Sequence, residues 1–172
     1  MKTGFVVSFV VCFLCYAIRT AFNILKYKRH KLVEKKGTMV IIYIVMFVLW
    51  FSWAQMCFFD PFEITMSGSV RYIGLILFLI GIFILIISHT SLKGFEDKGQ
   101  LVTKGIYSKI RNPMYLGFIL WIIGFPLFLQ SPVALASGII WIAHIMYWKM
   151  LEEKELEKKY EAYREYKQKT WF

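Results

Sequence analysis

Polar and apolar positions in this chain do not alternate; they come in long blocks. Five stretches are predominantly apolar, at residues 5–25, 39–59, 69–88, 114–129 and 132–151. A helix needs about 20 such residues to cross a ~30 Å hydrocarbon core, because each residue adds about 1.5 Å of rise and the main chain must bond to itself inside lipid. The pattern predicts an all-α, polytopic membrane protein with five transmembrane helices. The fourth stretch is short and contains Pro126, and only Gln130 and Ser131 separate it from Pro132, so the last two spans should form a tight helical hairpin. Gly74 and Gly81 lie seven apart, as do Gly117 and Gly124. Small residues let helices approach closely in lipid, which makes these packing faces. After residue 151 charges alternate from Glu152 to Lys169, the mark of a helix leaving the membrane with a solvated face.

Charge adds an orientation. Lys26, Lys28, Arg29, Lys31, Lys35 and Lys36 crowd the first loop, and Lys93, Lys98, Lys104, Lys109 and Arg111 the third. The second loop carries Asp60 and Glu63 and no Lys or Arg, and the tail from Lys149 holds seven basic residues. By the positive-inside rule the N-terminus is outside and the C-terminus and any active site are cytoplasmic. The 21 basic against 11 acidic residues give +10; topology and anionic lipid headgroups account for that excess, and nucleic acid is not required as a partner. With 58% of residues hydrophobic, against about 45–50% in soluble domains, little chain is left for a separate soluble module. The whole of 1–172 is expected to be one membrane-embedded domain, with three spans in 1–88 and a loop, hairpin and terminal helix in 89–172. The first apolar run exceeds a signal-peptide core and lacks a clean cleavage site, so it is expected to stay as a span. Cys12 and Cys15 form a C-x-x-C inside an apolar helix without basic or metal-binding neighbours, which reads as buried thiols, and Cys57 reads likewise. Trp50, Trp53, Phe58 and Phe59 read as an interfacial belt.

The chemistry-bearing stretch is residues 99–117, G-Q-L-V-T-K-G-I-Y-S-K-I-R-N-P-M-Y-L-G. Gly99 and Gly105 permit unusual backbone angles, Tyr107 and Tyr115 offer flat faces and hydroxyls, and Arg111 is a fixed cation. Architecture alone explains part of this, since Asn112 suits an N-cap and Pro113 the first helical position. A second cluster follows the fifth span, where Lys149 and Glu153 share a helix face four residues apart, with Glu152 beside them. A carboxylate at the membrane boundary is costly unless it meets a cation. No general base stands out: His30 sits in a basic loop, His89 reads as an interfacial anchor, and the intramembrane His144 as a hydrogen bond between helices, with a functional role as the alternative.

The run L-V-T-x-G-x-Y-x-x-x-R-N-P-x-Y-x-G, followed by a Trp and Gly, a Pro, Glu-Glu and Tyr-x-x-Tyr, resembles the isoprenylcysteine carboxyl methyltransferase and phospholipid methyltransferase superfamily of integral membrane enzymes. The resemblance spans roughly residues 101–166. It implies an S-adenosyl-L-methionine pocket without a Rossmann fold, and the sequence has no strand followed by a Gly-rich turn and helix. Carried over residue by residue, Gly99, Gln100, Leu101 and Val102 contact the cofactor largely through main chain. Tyr107 lines the pocket, Asn112, Pro113, Met114 and Tyr115 form its next wall, and Glu153 matches the cofactor-binding Glu. Arg111 and Lys149 are the cations expected to act in catalysis, Lys149 on the substrate. Asn112 stands where many relatives have His, and Asn does not titrate near neutral pH; Lys149 replaces an Arg and with it planar bidentate recognition.

The expectation is therefore methyl transfer from S-adenosyl-L-methionine to a lipophilic membrane acceptor, a prenylcysteine-like carboxylate or a phospholipid amine, with no metal. Two alternatives stay open: a membrane NADPH-dependent sterol or enone reductase, and an inactive scaffold of the same fold. The tail 160–172, with Tyr160, Tyr163 and Tyr166 at intervals of three, reads as either a lid or a surface helix. Oligomeric state is left open by the sequence.

Overall fold

The computed structural model describes residues 2–28, 31, 36–62, 64–92 and 101–172. The described residues form helices α1 (Lys2–Tyr27), α2 (Lys36–Phe58), α3 (Gly68–Leu92), α4 (Pro113–Leu129), α5 (Pro132–Lys159) and α6 (Tyr163–Lys169), with a 3-10 turn at Gly105–Ser108. Four of them, α1, α2, α3 and α5, are long and apolar enough to cross a membrane. The expected fourth span is a shorter apolar helix, the 17-residue α4, about 25 Å long at 1.5 Å per residue.

α3 and α4 are zipped together by the four glycines. A β-carbon on Gly74 would lie 2.9 Å from the Gly124 oxygen, and one on Gly81 would lie 2.8 Å from the Gly117 oxygen. The two main chains touch where side chains are missing, as the spacing predicts.

The α4–α5 hairpin has its own stop and start signals. Pro126 frees its neighbours' hydrogen-bonding groups late in α4, Gln130 closes the helix in the left-handed region at φ 59°, and Ser131 N–H returns to the Pro126 oxygen at 2.9 Å. Pro132 then opens α5. The buried Asp60, from the loop after α2, accepts the Ala134 N–H at 2.8 Å and the Phe62 N–H at 3.0 Å. A carboxylate at a helix N-terminus satisfies an otherwise orphaned donor and meets the positive end of the dipole. Asp60 is thus a cap for a distant helix as well as a loop charge.

Aromatic side chains fill the centre. Tyr16 of α1 stacks between Trp141 and Trp148 of α5, at 4.7 and 5.2 Å between centroids, and Trp50 of α2 stacks on Phe118 and Trp121 of α4. Cys12, Cys15 and Cys57 are buried free thiols in this layer. The Thr20 hydroxyl accepts from Trp148 Nε1 at 2.8 Å and bonds His144 Nδ1 at 3.2 Å, so His144 makes the helix-to-helix contact expected of it. Outward faces are apolar instead of polar: Phe47, Phe83 and Ile139 are all more than 60% exposed. A fold that buries Trp and Tyr while displaying Phe suits lipid as its solvent.

Candidate active site

Beside the start of α4 lies a cavity of about 620 Å³, within the ~300–1,000 Å³ usual for small-molecule sites. Its polar end takes Leu101 and Val102 from the segment before the 3-10 turn, Tyr107 from the turn, Arg111 through Tyr115 from the entry to α4, and Glu152 from α5. α2 supplies an apolar wall of Met39, Ile42, Tyr43, Met46 and Trp50. Tyr160, Tyr163 and Tyr166 bring the tail over it. The site motif is therefore gathered into one cavity, apart from Gly99 and Gln100, which lie outside the described residues, as do the loop residues Arg29, His30, Lys35, Glu63, Lys93 and Lys98.

Lys149 and Glu153 do not border the cavity; they stand behind its wall. Glu153 Oε1 accepts from Arg111 Nε at 2.9 Å and Asn112 Nδ2 at 2.6 Å and pairs with Lys149 Nζ at 3.0 Å, while Oε2 meets Lys167 Nζ at 3.2 Å. The Glu153 side chain is 10% exposed. A carboxylate this buried needs cations to offset its lost hydration. Here they come from three elements: the loop before α4, α5 itself, and α6.

The same knot fastens the tail. Arg111 Nη1 donates to the Lys167 and Thr170 oxygens at 3.2 and 3.1 Å, and Asn112 Nδ2 to the Phe172 oxygen at 2.9 Å. Arg111 N–H bonds the Trp171 oxygen and Trp171 N–H the Lys109 oxygen, a short parallel bridge between Ile110 and Trp171. Tyr166 donates to the Tyr107 oxygen at 2.6 Å. Burial pushes the Tyr166 phenol up to about 12, with Arg111 pulling weakly the other way, and burial raises Tyr163 too. Both are neutral hydroxyls at physiological pH. Of the two readings of the tail, the packing favours a cover over the site.

The wall from α2 and Arg19 were not singled out by the sequence, and Glu152 was noted beside Glu153 without a role of its own. Glu152 accepts from the Tyr115 hydroxyl at 2.6 Å at the cavity edge. The wall from α2 carries no motif and reads only as apolar. Arg19, from the middle of α1, borders both this cavity and a neighbouring one of about 90 Å³. The signal for Arg19 was present, since a cation inside an apolar helix marks a functional candidate.

Fold and site together define an all-helical integral membrane protein whose cavity joins a polar, aromatic end to an apolar wall. The chain belongs to the phospholipid methyltransferase family, whose model matches residues 70–163, more than half of it. It is 31% identical over 74 residues to a probable protein-S-isoprenylcysteine O-methyltransferase of Oryza sativa subsp. indica, covering 38% of this chain and 39% of that protein. It is 36% identical over 90 residues to protein-S-isoprenylcysteine O-methyltransferase of Saccharomyces cerevisiae, covering 48% and 36%. For the protein of that name in Dictyostelium discoideum the figures are 28% over 79 residues, covering 44% and 33%. The chain thus matches between a third and two fifths of these relatives' length. No solved structure matches it. The reductase and scaffold alternatives find no support in these matches.

Proposed function

We propose that the protein transfers a methyl group from S-adenosyl-L-methionine to a lipophilic acceptor drawn from the bilayer, either a carboxylate of the prenylcysteine kind or a phospholipid amine. The observation that carries this reading is the cavity itself, polar and aromatic at one end and apolar along α2. A family membership that names methyl transfer and relatives named isoprenylcysteine O-methyltransferases point the same way.

The residues present fit such a donor. It brings a planar base, an amino-acid group and an electrophilic methyl on a sulfonium. Tyr107 and Tyr115 offer ring faces, Leu101 and Val102 offer main chain outside regular structure, and Glu152 offers a carboxylate. The Tyr163 hydroxyl is buried with no hydrogen-bond partner among the described residues, and Tyr163 is one of the residues that line the same space. Buried polar groups are normally satisfied, so an orphan at a cavity wall suits a ligand.

In this reading Asn112, Pro113, Met114 and Tyr115 form one wall of the donor site. Glu153 holds that wall from behind through Arg111 and Asn112, and Lys149 shares the task. Methyl transfer is an in-line displacement, so the protein's contribution is alignment, worth up to ~7–11 kcal/mol when orientation is good. A tail that covers the cavity excludes water from it. The fold is read as five crossings, with α4 paired to α3, the N-terminus outside, and the donor entering from the cytoplasmic side while the acceptor enters past α2.

Calorimetric titration of detergent-solubilised protein with S-adenosylhomocysteine, beside NADPH, tests the reading. Binding of the first alone is expected. Folded protein that binds only NADPH, or neither, overturns it.

A further inference from the structure

Arg19 has an unusual position. It lies eight residues, or about 12 Å of helix, from the Tyr27 end of α1, within an apolar stretch where a cation is costly. Its Nε is buried without a hydrogen-bond partner among the described residues, and its guanidinium forms no ion pair there. Its neighbours are rings: the guanidinium carbon stands 5.2 Å from the Phe22 centroid and 5.9 Å from that of Trp148. Those contacts hold the group in place and Glu152 attracts its charge, but its donors have no hydrogen-bond partner among the described residues.

The other cations are differently disposed. Arg111, Lys149 and Lys167 converge on Glu153. Lys159 borders the cavity but is exposed to solvent. Glu152, which shares both cavities with Arg19, accepts from Tyr115 and makes no ion pair with Arg19. A guanidinium that lines a cavity, attracted by Glu152 but not bonded to it, presents a fork of donors suited to a carboxylate or phosphate.

We propose that Arg19 receives the anionic group of the lipid acceptor, the carboxylate of a prenylcysteine-like amphiphile or the phosphate of a phospholipid. The inference rests on the methyltransferase reading for the word acceptor, and on geometry alone for the anion. The depth of Arg19 in α1 and the apolar side chains of Met39, Ile42 and Met46 on the same cavity place an anionic head at Arg19 with a hydrocarbon tail along α2. The residue lies outside the stretch 70–163 that the family model matches.

Thermophoresis of the detergent-solubilised chain tests this with N-acetyl-S-farnesylcysteine, its neutral carboxamide and S-adenosylhomocysteine, and a parallel arm uses phosphatidylethanolamine in nanodiscs. For a carboxylate source, the wild-type protein should bind the acid about tenfold or more tighter than the amide, as a charge-assisted pair implies. Arg19→Gln should erase that preference and Arg19→Lys retain part of it. For a phosphate source, the preference is absent and Arg19→Gln instead weakens phosphatidylethanolamine binding. S-adenosylhomocysteine affinity should be unchanged in either case. An acid preference that survives Arg19→Gln, anion binding indifferent to Arg19 in both arms, or a loss confined to S-adenosylhomocysteine overturns the proposal, the last by giving Arg19 to the donor. Melting temperature separates a structural role, because a buried cation without an ion pair carries a desolvation cost, so Arg19→Gln should not lower it. Wild-type protein that ignores S-adenosylhomocysteine yet prefers the acid sinks the methyltransferase reading and leaves the anion site standing.

Discussion

Glu153 divides its two oxygens among four donors, so its substitution is a test of how the wall is held. Glu153→Gln leaves Arg111, Lys149 and Lys167 crowded around a neutral amide, and loss of one member of a buried ion cluster costs about 3–5 kcal/mol. A lower melting temperature is expected together with weaker S-adenosylhomocysteine binding, because Arg111, Asn112 and the tail lose their common anchor. Weaker binding at an unchanged melting temperature would instead mean that Glu153 touches the cofactor directly. The sequence legibly paired Lys149 with Glu153, since four-residue spacing is local geometry. It could not say what the pair faced. Trp148 and Glu152 lie on the neighbouring face of α5, and only the burial of Trp141, Ile145 and Trp148 sets the rotation that turns Glu152 to the cavity and Glu153 to the knot. Arg19 escaped for a different reason: one cation averaged over an apolar block leaves the block apolar, and its meaning depends on which neighbours it lacks.

Between elements, the α3–α4 seam is the contact most sensitive to one atom. A β-carbon on Gly124 would sit 2.7 Å from the Gly74 oxygen and 3.0 Å from the Leu77 carbonyl carbon, and main chain in a helix cannot yield as a side chain can. Gly124→Val should therefore push the helices apart and cost more stability than the ~1–3 kcal/mol of ordinary overpacking, read as a lower melting temperature. Gly138→Ala is the control, because its β-carbon meets one side-chain methyl, Ile122 Cγ2 at 3.0 Å, and its nearest main-chain atom lies 3.8 Å away. Equal losses in both variants would mean that the glycine spacing does not set the seam. The glycine faces, the hairpin at Gln130–Ser131 and the long apolar helices were all readable, since each follows from spacing within an element or its turn; that the two glycine faces meet each other was not. Nor was the roof of the cavity. Its fastening joins Arg111 to Thr170 and Tyr107 to Tyr166, and no local pattern encodes a contact between residues nearly sixty apart.

At the level of the whole molecule, the proposed reaction needs its two substrates to arrive from different phases, and the orientation of the chain decides which end of the cavity meets water. Lys26 and Tyr27 at the end of α1 border the smaller cavity and Arg111 the larger one, whereas the loop bearing Asp60 sits with the α4–α5 turn, tied to it by Ser131 Oγ on the Cys57 oxygen at 2.6 Å and Gln130 Oε1 on the Met66 N–H at 3.0 Å. Five crossings put these two groups on opposite faces; four crossings, with α4 not spanning, would put the α4–α5 turn on the same face as Lys109. Cysteine labelling distinguishes them, because Cys12, Cys15 and Cys57 are buried and contribute little background. In intact cells a membrane-impermeant maleimide should modify Ser67→Cys and Gln130→Cys, and should reach Lys109→Cys only after permeabilisation. Labelling of Lys109→Cys from outside would invert the orientation and move the donor to the extracellular side, where a cytoplasmic cofactor could not serve it.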